Sequence, residues 1–276
     1  MKFFIILFLL CNHALLYGQS ISGTVFEKDG KTPVEYVNIG IVGKNVGIIS
    51  DQNGKYTVQV KPDHLEDTLR FSSVGYRSYS VKVADFVHLN NGNVCLEKRL
   101  YDLTEVMMRP KKLKQKTLGI TTKNKSNYAC HSGYDENSYT GGAEFGILIG
   151  NKETVFIKEI NFNLAEFSFD TVLFRINIYK PNQYLQFENI LNNPVYVSMS
   201  EQKIVKDKIT IDLRHLHIAI EGDFLVTFEL VKLQENFFIC FCADALQNSY
   251  GRCTSQATWE TIPAGMSISA IVDVEK

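Results

Sequence analysis

The sequence has few of the features expected of a membrane-spanning, nucleic-acid-binding or catalytic protein. Beyond its first residues it has no run of about 20 uninterrupted apolar residues, so we predict no transmembrane helix in the mature chain. A net charge of -1 and a pI near 6.6 provide no broad basic field, which argues against a nucleic-acid partner. Phosphate-binding loops, dinucleotide glycine fingerprints, nucleophile elbows and paired-histidine zinc-protease helices are absent. We therefore predict no enzyme activity, no catalytic or metal-binding residue and no cofactor.

Cysteine is also sparse, and its spacing is not that of a small disulfide-rich domain. After the N-terminal region the chain has Cys95, Cys130, Cys240, Cys242 and Cys253. Because this number is odd, at least one thiol stays unpaired within the chain. We interpret Cys240 and Cys242, which lie in an apolar run, as small buried hydrophobic residues. A bridge to Cys253 is the alternative, and the pairing is left open.

The N-terminus has the pattern of a secretory signal peptide. Lys2 is followed by an apolar run over residues 3–10 and by the small residue Gly18. We predict cleavage after Gly18, so that residues 1–18 are the signal peptide and the mature chain is exported. Lipidation at Cys11 is disfavoured because Leu10 precedes it.

The next part of the chain alternates short β-type segments with turn residues, and no convincing helical period occurs. Asn53-Gly54 is a hairpin signal, and Gly54 should supply the positive φ of a tight turn. Tyr56 and Phe71 fall on predicted strands where they can fill a core. Six or seven strands in about eighty residues is the spacing of a β-sandwich.

Four segments of this region carry a family resemblance. They are Ile21-x-Gly23-x-Val25, Pro33-Val34-x-Tyr36-Val37-Asn38-Ile39, Gly47-Ile48-Ile49-Ser50-Asp51-x-x-Gly54-x-Tyr56, and Leu69-x-Phe71-Ser72-x-Val74-Gly75-Tyr76. In order and spacing they resemble the carboxypeptidase regulatory-like domain, a transthyretin-like sandwich that also precedes the plug of starch-utilisation-type outer-membrane receptors. The resemblance implies a scaffold or interaction role over residues 19–100. The chain is too short for a receptor barrel.

Residues 101–140 are predicted to be a basic and polar linker. Residues 109–125 include many lysines and no acidic residue, and residues 128–140 are rich in Asn, Ser, Gly and Tyr. A solvated linker is the favoured interpretation. The alternative is a basic tether that makes peripheral contact with anionic lipid headgroups or glycans.

A second β series follows over residues 141–276. The predicted strands are 143–149, 154–164, 171–179, 195–198, 209–213, 224–230, 237–242 and 266–274. Together they predict a second antiparallel β-sandwich, for which a jelly roll is one form. The series also resembles a C-terminal β domain of unassigned function that follows the regulatory-like domain in exported proteins. The fold class is therefore all-β with two sandwiches.

Several short patterns contain residue types that could bind a metal ion, but each has a simpler interpretation. His215-x-His217 and Cys240-x-Cys242 each place two potential zinc ligands on one face of a predicted strand, yet neither has a partner set. Asp51-x-Asn53-Gly54 resembles the start of a calcium loop but is explained by a turn.

Two other patterns contain residue types that could catalyse a reaction or bind a sugar. His131 beside Cys130 suggests a base and a nucleophile, although adjacent residues rarely point at each other. Tyr179, Tyr184, Phe187 and Tyr196 are aromatic residues that would form a sugar-stacking surface if exposed in a row; otherwise they belong to a core.

The sequence thus predicts an exported, non-enzymatic interaction or structural module of a Gram-negative cell envelope. Its location is periplasmic or outer-membrane associated, at the cell surface, or secreted. Its partner is an unknown envelope protein or glycan. The alternative function is a carbohydrate-binding accessory protein of a glycan-uptake system.

Overall fold

The computed structural model describes residues 19–88, 91–99, 113–133, 141–182, 187–232 and 237–275. The predicted signal peptide and Tyr184 lie outside these residues. Within them the protein is all-β, as predicted. The chain divides into two compact units: the first comprises residues up to Ser73, Arg77–Glu97 and Ser255–Ala257, and the second comprises Val74–Tyr76, Lys98–Thr254 and Thr258–Lys276.

In its described residues the first unit has seven strands, one short α-helix and a 3-10 turn at Pro62–His64. The strands are β1 (Gln19–Glu27), β2 (Asn38–Ile41), β3 (Gly47–Ile49), β4 (Lys55–Val60), β5 (Thr68–Ser72), β6 (Tyr79–Lys82) and β7 (Val94–Leu96), and the helix is α1 (Val83–Val87). They form a sheet of order β4-β1-β7 and a sheet of order β3-β2-β5-β6. The sequence pattern did not predict α1, whose five residues are too few to show a helical period.

The side chains of β4 show why these residues form a sandwich. Successive side chains along the strand are alternately exposed and buried, and Tyr56, Val58 and Val60 are the buried ones. The Tyr56 ring packs edge-on against Phe71 of β5, with ring centroids 5.4 Å apart. Gly54 has φ +72°, and a Cβ there would lie 2.5 Å from the carbonyl oxygen of Val25. The predicted requirement for glycine at this turn is therefore confirmed.

The first unit also contains three residues from far along the chain. Ser255, Gln256 and Ala257 are all buried. The Ser255 hydroxyl bonds Asn38 Oδ1 at 2.9 Å, and the Gln256 amide donates to Ser72 Oγ at 2.7 Å. Gln256 holds this position with φ +65°. Local sequence patterns predicted a domain of contiguous residues, whereas these bonds join residues about 180 to 220 positions apart.

The second unit is a sandwich of two sheets. Its strands are β8 (Leu113–Gly119), β9 (Tyr128–Gly133), β10 (Glu144–Ile149), β11 (Thr154–Ser168), β12 (Thr171–Pro181), β13 (Phe187–Asn189), β14 (Val195–Ser200), β15 (Lys208–Asp212), β16 (Ala219–Glu221), β17 (Phe224–Lys232), β18 (Phe237–Asp244), β19 (Ser249–Arg252), β20 (Glu260–Ile262), β21 (Gly265–Met266) and β22 (Ile268–Glu275).

One sheet runs β13-β12-β17-β10-β19-β20, with β14 also on β12. The other runs β21-β18-β11-β22-β8, with β15 and β16 on β11 and β9 on β18. Phe162 of β11, Phe228 of β17 and Phe241 of β18 meet between the sheets, with ring centroids 5.5 to 6.0 Å apart. All eight predicted strands of this region are present.

The linker prediction is wrong for part of residues 101–140. β8 pairs along its whole length with β22, and β9 pairs with β18. β8 is an edge strand in the described part of the sheet, and its lysines are among the charges that suggested a solvated linker. Charged residues, Lys above all, are what native edge strands carry to prevent pairing with other chains. Residues 100–112 and 134–140 lie outside the described part of the chain.

Candidate functional site

A row of charged side chains crosses the seven-stranded sheet on the face that does not contribute to the hydrophobic core. The strand register places Arg175 opposite Glu229, Glu229 opposite Glu144, and Glu144 opposite Arg252. The four residues come from β12, β17, β10 and β19. Arg175, Glu229 and Glu144 are at most 1% exposed. The row therefore contains two cations and two anions, of which Arg175, Glu229 and Glu144 are withdrawn from water and Arg252 keeps 11% of its side chain exposed.

The Glu144 carboxylate accepts hydrogen bonds from four side chains. Arg252 donates to Oε2 from Nε at 2.9 Å and from a terminal nitrogen at 2.6 Å. Oε1 accepts from Asn177 at 2.8 Å and from the Tyr179 hydroxyl at 2.7 Å, and also from Thr227. Both oxygens of the buried carboxylate are thus satisfied, as a buried charge requires.

The Glu229 carboxylate makes a two-pronged ion pair with Arg175. Nε donates to Oε2 at 2.8 Å and a terminal nitrogen donates to Oε1 at 2.9 Å. The Asn177 amide also donates to Glu229, at 2.6 Å, so it bridges the two carboxylates. Parallel bonds of this kind are strong and fix the relative orientation of the two groups.

The electrostatics favour the ionised forms of Glu229, Arg175 and Arg252. Burial alone raises the pKa of Glu229, but the Arg175 charge outweighs it and holds that pKa below its ordinary value. Burial lowers the pKa of Arg175 and of Arg252, yet Glu229 and Glu144 respectively hold both pKa values above the ordinary one. Burial, with the Glu144 charge, raises the pKa of Tyr179 well above its usual value. The Glu229 carboxyl is therefore poorly suited to carry a proton at neutral pH.

Aromatic rings surround the Arg252 end of the row. The Arg252 guanidinium lies 5.0 Å from the centroid of the Trp259 ring. Tyr179 and Phe187 contact Trp259 edge-on at 5.9 and 5.2 Å, and Phe187 meets Tyr250 at 5.9 Å. Excluding water in this way strengthens the Arg252–Glu144 pair, because the local dielectric falls.

The aromatic residues considered as a sugar-binding surface do not all lie together in the structure. Tyr179 is buried in the cluster just described, Phe187 is half-buried there, and Tyr196 lies opposite Arg175 on β14. The rings around Trp259 stand 62 to 77° from one another. They therefore do not form a flat row of exposed faces in the described part of the chain.

Cys130 and Cys240 form a disulfide between β9 and β18. The alternative bridge to Cys253 is not formed, since Cys253 is a free exposed thiol, while Cys242 is free and buried. The oxidised Cys130 is no nucleophile. Burial lowers the pKa of the adjacent His131 to about 4, and its ring packs against Phe145.

His215 lies on a 3-10 turn rather than on a strand, and His217 ends that turn with φ 49°. The strand prediction for this pair is therefore wrong. Among the described residues no group of three or more His, Cys, Asp or Glu side chains is placed to hold a metal ion. Asp51 accepts hydrogen bonds from the backbone of Asn53 and Lys55, both at 2.8 Å, as in a closed turn.

Sequence reasoning missed the charged row, although two signals pointed to it. Arg175, Asn177 and Tyr179 recur at period two in an otherwise apolar strand, and Thr227 and Glu229 do so in another. Opposite charges at equivalent positions of buried strands indicate cross-strand pairing.

Comparison with family models matches residues 21–108 to the CarboxypepD_reg-like domain. The predicted resemblance to this domain is confirmed over these residues. The match agrees with the four segments that predicted it and reaches slightly beyond the predicted boundary at residue 100. The CarboxypepD_reg-like domain is a regulatory, non-catalytic β-sandwich, and the match does not extend to the strands that carry the charged row.

The search of solved structures finds matches of low similarity. A structure of the infectious bursal disease virus Gt strain is 11% identical with a TM-score of 0.22, over 95% of this chain and 81% of that one. A structure of carbohydrate-binding modules of the β-sandwich superfamily is 8% identical with a TM-score of 0.19, over 90% of this chain and 99% of that one. Similarity at this level carries no argument about function. No curated protein matches the chain.

Among the described residues, no helix has the length and apolar character needed to cross a bilayer.

Proposed function

We propose that the protein is an exported, non-catalytic interaction or structural module of the cell envelope. The Cys130–Cys240 disulfide carries this proposal, because such bonds form and persist in oxidising compartments and are rare in the cytosol. The signal-peptide pattern over residues 1–18 points the same way.

A binding or structural role, rather than catalysis, is supported by how the polar groups of the second unit are used. Glu144 and Glu229 are saturated by donors from the same unit, and Cys130 is oxidised. A catalytic acid, base or nucleophile needs a reactive group directed at a substrate. The CarboxypepD_reg-like domain contributes a non-catalytic sandwich.

The export proposal is tested in a Gram-negative host that makes the full chain. Thiols are blocked before lysis, the cells are fractionated, and the protein is analysed by intact mass and non-reducing peptide mapping. We expect a mature chain that starts near Gln19, in the periplasmic or outer-membrane fraction, with Cys130 linked to Cys240. Uncleaved cytoplasmic protein with both thiols alkylated would contradict the proposal.

The alternative function is carbohydrate binding as an accessory to a glycan-uptake system. It is supported by the half-buried rings of Phe187, Tyr250 and Trp259, which lie beside polar side chains. Affinity electrophoresis through immobilised polysaccharides tests it, with Trp259→Ala as the variant. Retardation that this variant abolishes, while circular dichroism shows that it is still folded, would favour the alternative over a protein partner.

A further inference from the structure

Two turns of the second unit and the start of β9, which follows a third turn, expose large apolar side chains. Tyr128 is 59% exposed, Val205 67% and Leu246 95%. Within the described residues these are the most exposed of the large hydrophobic side chains. Single exposed hydrophobic residues are ordinary, but several in one region indicate a contact surface.

Contacts between the turns bring them into one region. The backbone N–H of Ala243, three residues before Leu246, donates to the Asn127 carbonyl at 2.8 Å, next to Tyr128. Lys125 forms an ion pair of 2.6 Å with Asp207, which belongs to the turn that follows Val205. We call Tyr128, Val205 and Leu246, together with Lys123, Lys125 and Lys206, the turn surface.

Local hydrogen bonds hold these turns in place. Lys206 and Asp207 both have φ 54°, and the Val205–Lys208 bridge closes the two-residue hairpin around them. The Leu246 N–H donates to Asp244 Oδ1 at 2.9 Å. Because the tips are already ordered, little conformational entropy remains to be lost when they bind.

Lysines outnumber carboxylates on these turns: Lys123, Lys125 and Lys206 stand against Asp207, which pairs with Lys125, and Asp244, which bonds the Leu246 N–H. Lys123, Lys125 and Lys206 are all exposed. Lys125 is neutralised by Asp207, whereas within the described chain neither Lys123 nor Lys206 takes part in an ion pair. Exposed apolar residues beside lysines suit the boundary between headgroups and acyl chains of an anionic bilayer, where the apolar groups insert and the cations meet phosphate.

We infer that the turn surface binds the anionic lipid surface of an envelope membrane. The inference rests on the proposed envelope function and gives it a lipid partner. For the basic segment 109–125, a tether that contacts anionic headgroups or glycans was the alternative to a solvated linker. The structure instead puts Lys114 and Lys116 of that segment in the β8 ladder, while Lys123 and Lys125 join the exposed turns.

Vesicle co-sedimentation tests the inference with the protein as recovered from its producing cells. Vesicles of phosphatidylglycerol and phosphatidylethanolamine are compared with vesicles of phosphatidylcholine alone. We expect binding to the anionic vesicles that weakens as salt increases. Lys206→Gln should lower the partition coefficient about fivefold, and Leu246→Asp about tenfold or more.

Two control variants keep the same N-terminus, so the apolar run at residues 3–10 affects every sample equally. Lys152→Gln removes an exposed lysine in the turn between β10 and β11, and Val42→Asp changes a residue of the first unit that is 38% exposed. Both should bind like the parent protein. Trp259 fluorescence during urea unfolding confirms that the turn variants are folded.

Absence of vesicle binding, or binding that Lys206→Gln and Leu246→Asp leave unchanged, would overturn the inference. Equal binding to phosphatidylcholine would also overturn it, because the lysines would then contribute nothing. Neither outcome bears on export, which the fractionation experiment decides. Conversely, vesicle binding by a protein retained in the cytoplasm would contradict the proposed function alone.

Discussion

Removing one partner of the buried Arg175–Glu229 pair should strongly destabilise the second unit. In Glu229→Gln, Arg175 would keep its charge while its side chain is only 1% exposed, and two parallel hydrogen bonds to a carboxylate would be lost. Breaking a buried pair from one side costs about 3–5 kcal/mol, since the remaining charge is left without compensation. The bridging amide of Asn177 would lose its charged acceptor on Glu229 as well.

The assay uses the only tryptophan of the chain. Trp259 lies in the second unit beside Arg252, so its fluorescence follows the unfolding of that unit in urea. With a urea dependence of about 2 kcal/mol per molar, the expected loss lowers the unfolding midpoint by about 1.5–2.5 M. The double variant Arg175→Met with Glu229→Leu should recover much of the stability, because neither member of this pair is then left as an uncompensated buried charge.

Asp212→Asn is the matched control for an exposed pair. Asp212 and Arg214 are 52% and 58% exposed, so breaking their ion pair should cost at most about 1 kcal/mol. If Glu229→Gln shifts the midpoint no more than Asp212→Asn does, the argument from burial is refuted. A double variant that is no more stable than the single one would refute the explanation by an uncompensated charge.

Four further predictions concern other parts of the molecule. Gly54→Val should destabilise the first unit by more than about 1 kcal/mol because its φ of +72° disfavours a β-branched side chain; an unchanged thermal midpoint by circular dichroism would contradict this. Replacing Cys130 and Cys240 by Ser should lower the stability of the second unit by about 4–5 kcal/mol, because the bridge closes a loop with a sequence separation of 110; Trp259 unfolding curves measure it. The pKa of His131 falls from 6.5 to about 4 on folding, so its contribution to stability is present above pH 6.5 and is lost as the pH falls toward 4; His131→Phe should remove about 1–3 kcal/mol of this pH dependence. Limited trypsin should cut after Lys123 in its exposed turn before Lys116, which is paired in β8 and bonded to Glu153; mass spectrometry of early fragments that begin at Thr117 would oppose this order.

The sequence by itself determined the all-β class and most of the strands, because these features are encoded locally. Alternation in β4 is a period-two pattern that follows from strand geometry, and Gly54 is required by a four-residue turn. The same locality explains the error at β8, where lysines of an edge strand imitate a solvated linker.

Only the tertiary structure decided which residues meet. Arg175 was visible as a charge in an apolar strand, but its partner Glu229 depends on the order of β12, β17 and β10 in the sheet. The Cys130–Cys240 bridge and the place of Ser255–Ala257 in the first unit likewise join residues at least 110 positions apart. Periodicity reports which face of a strand is buried, whereas strand order and long-range pairing depend on the packing of the whole chain, and no local pattern contains that information.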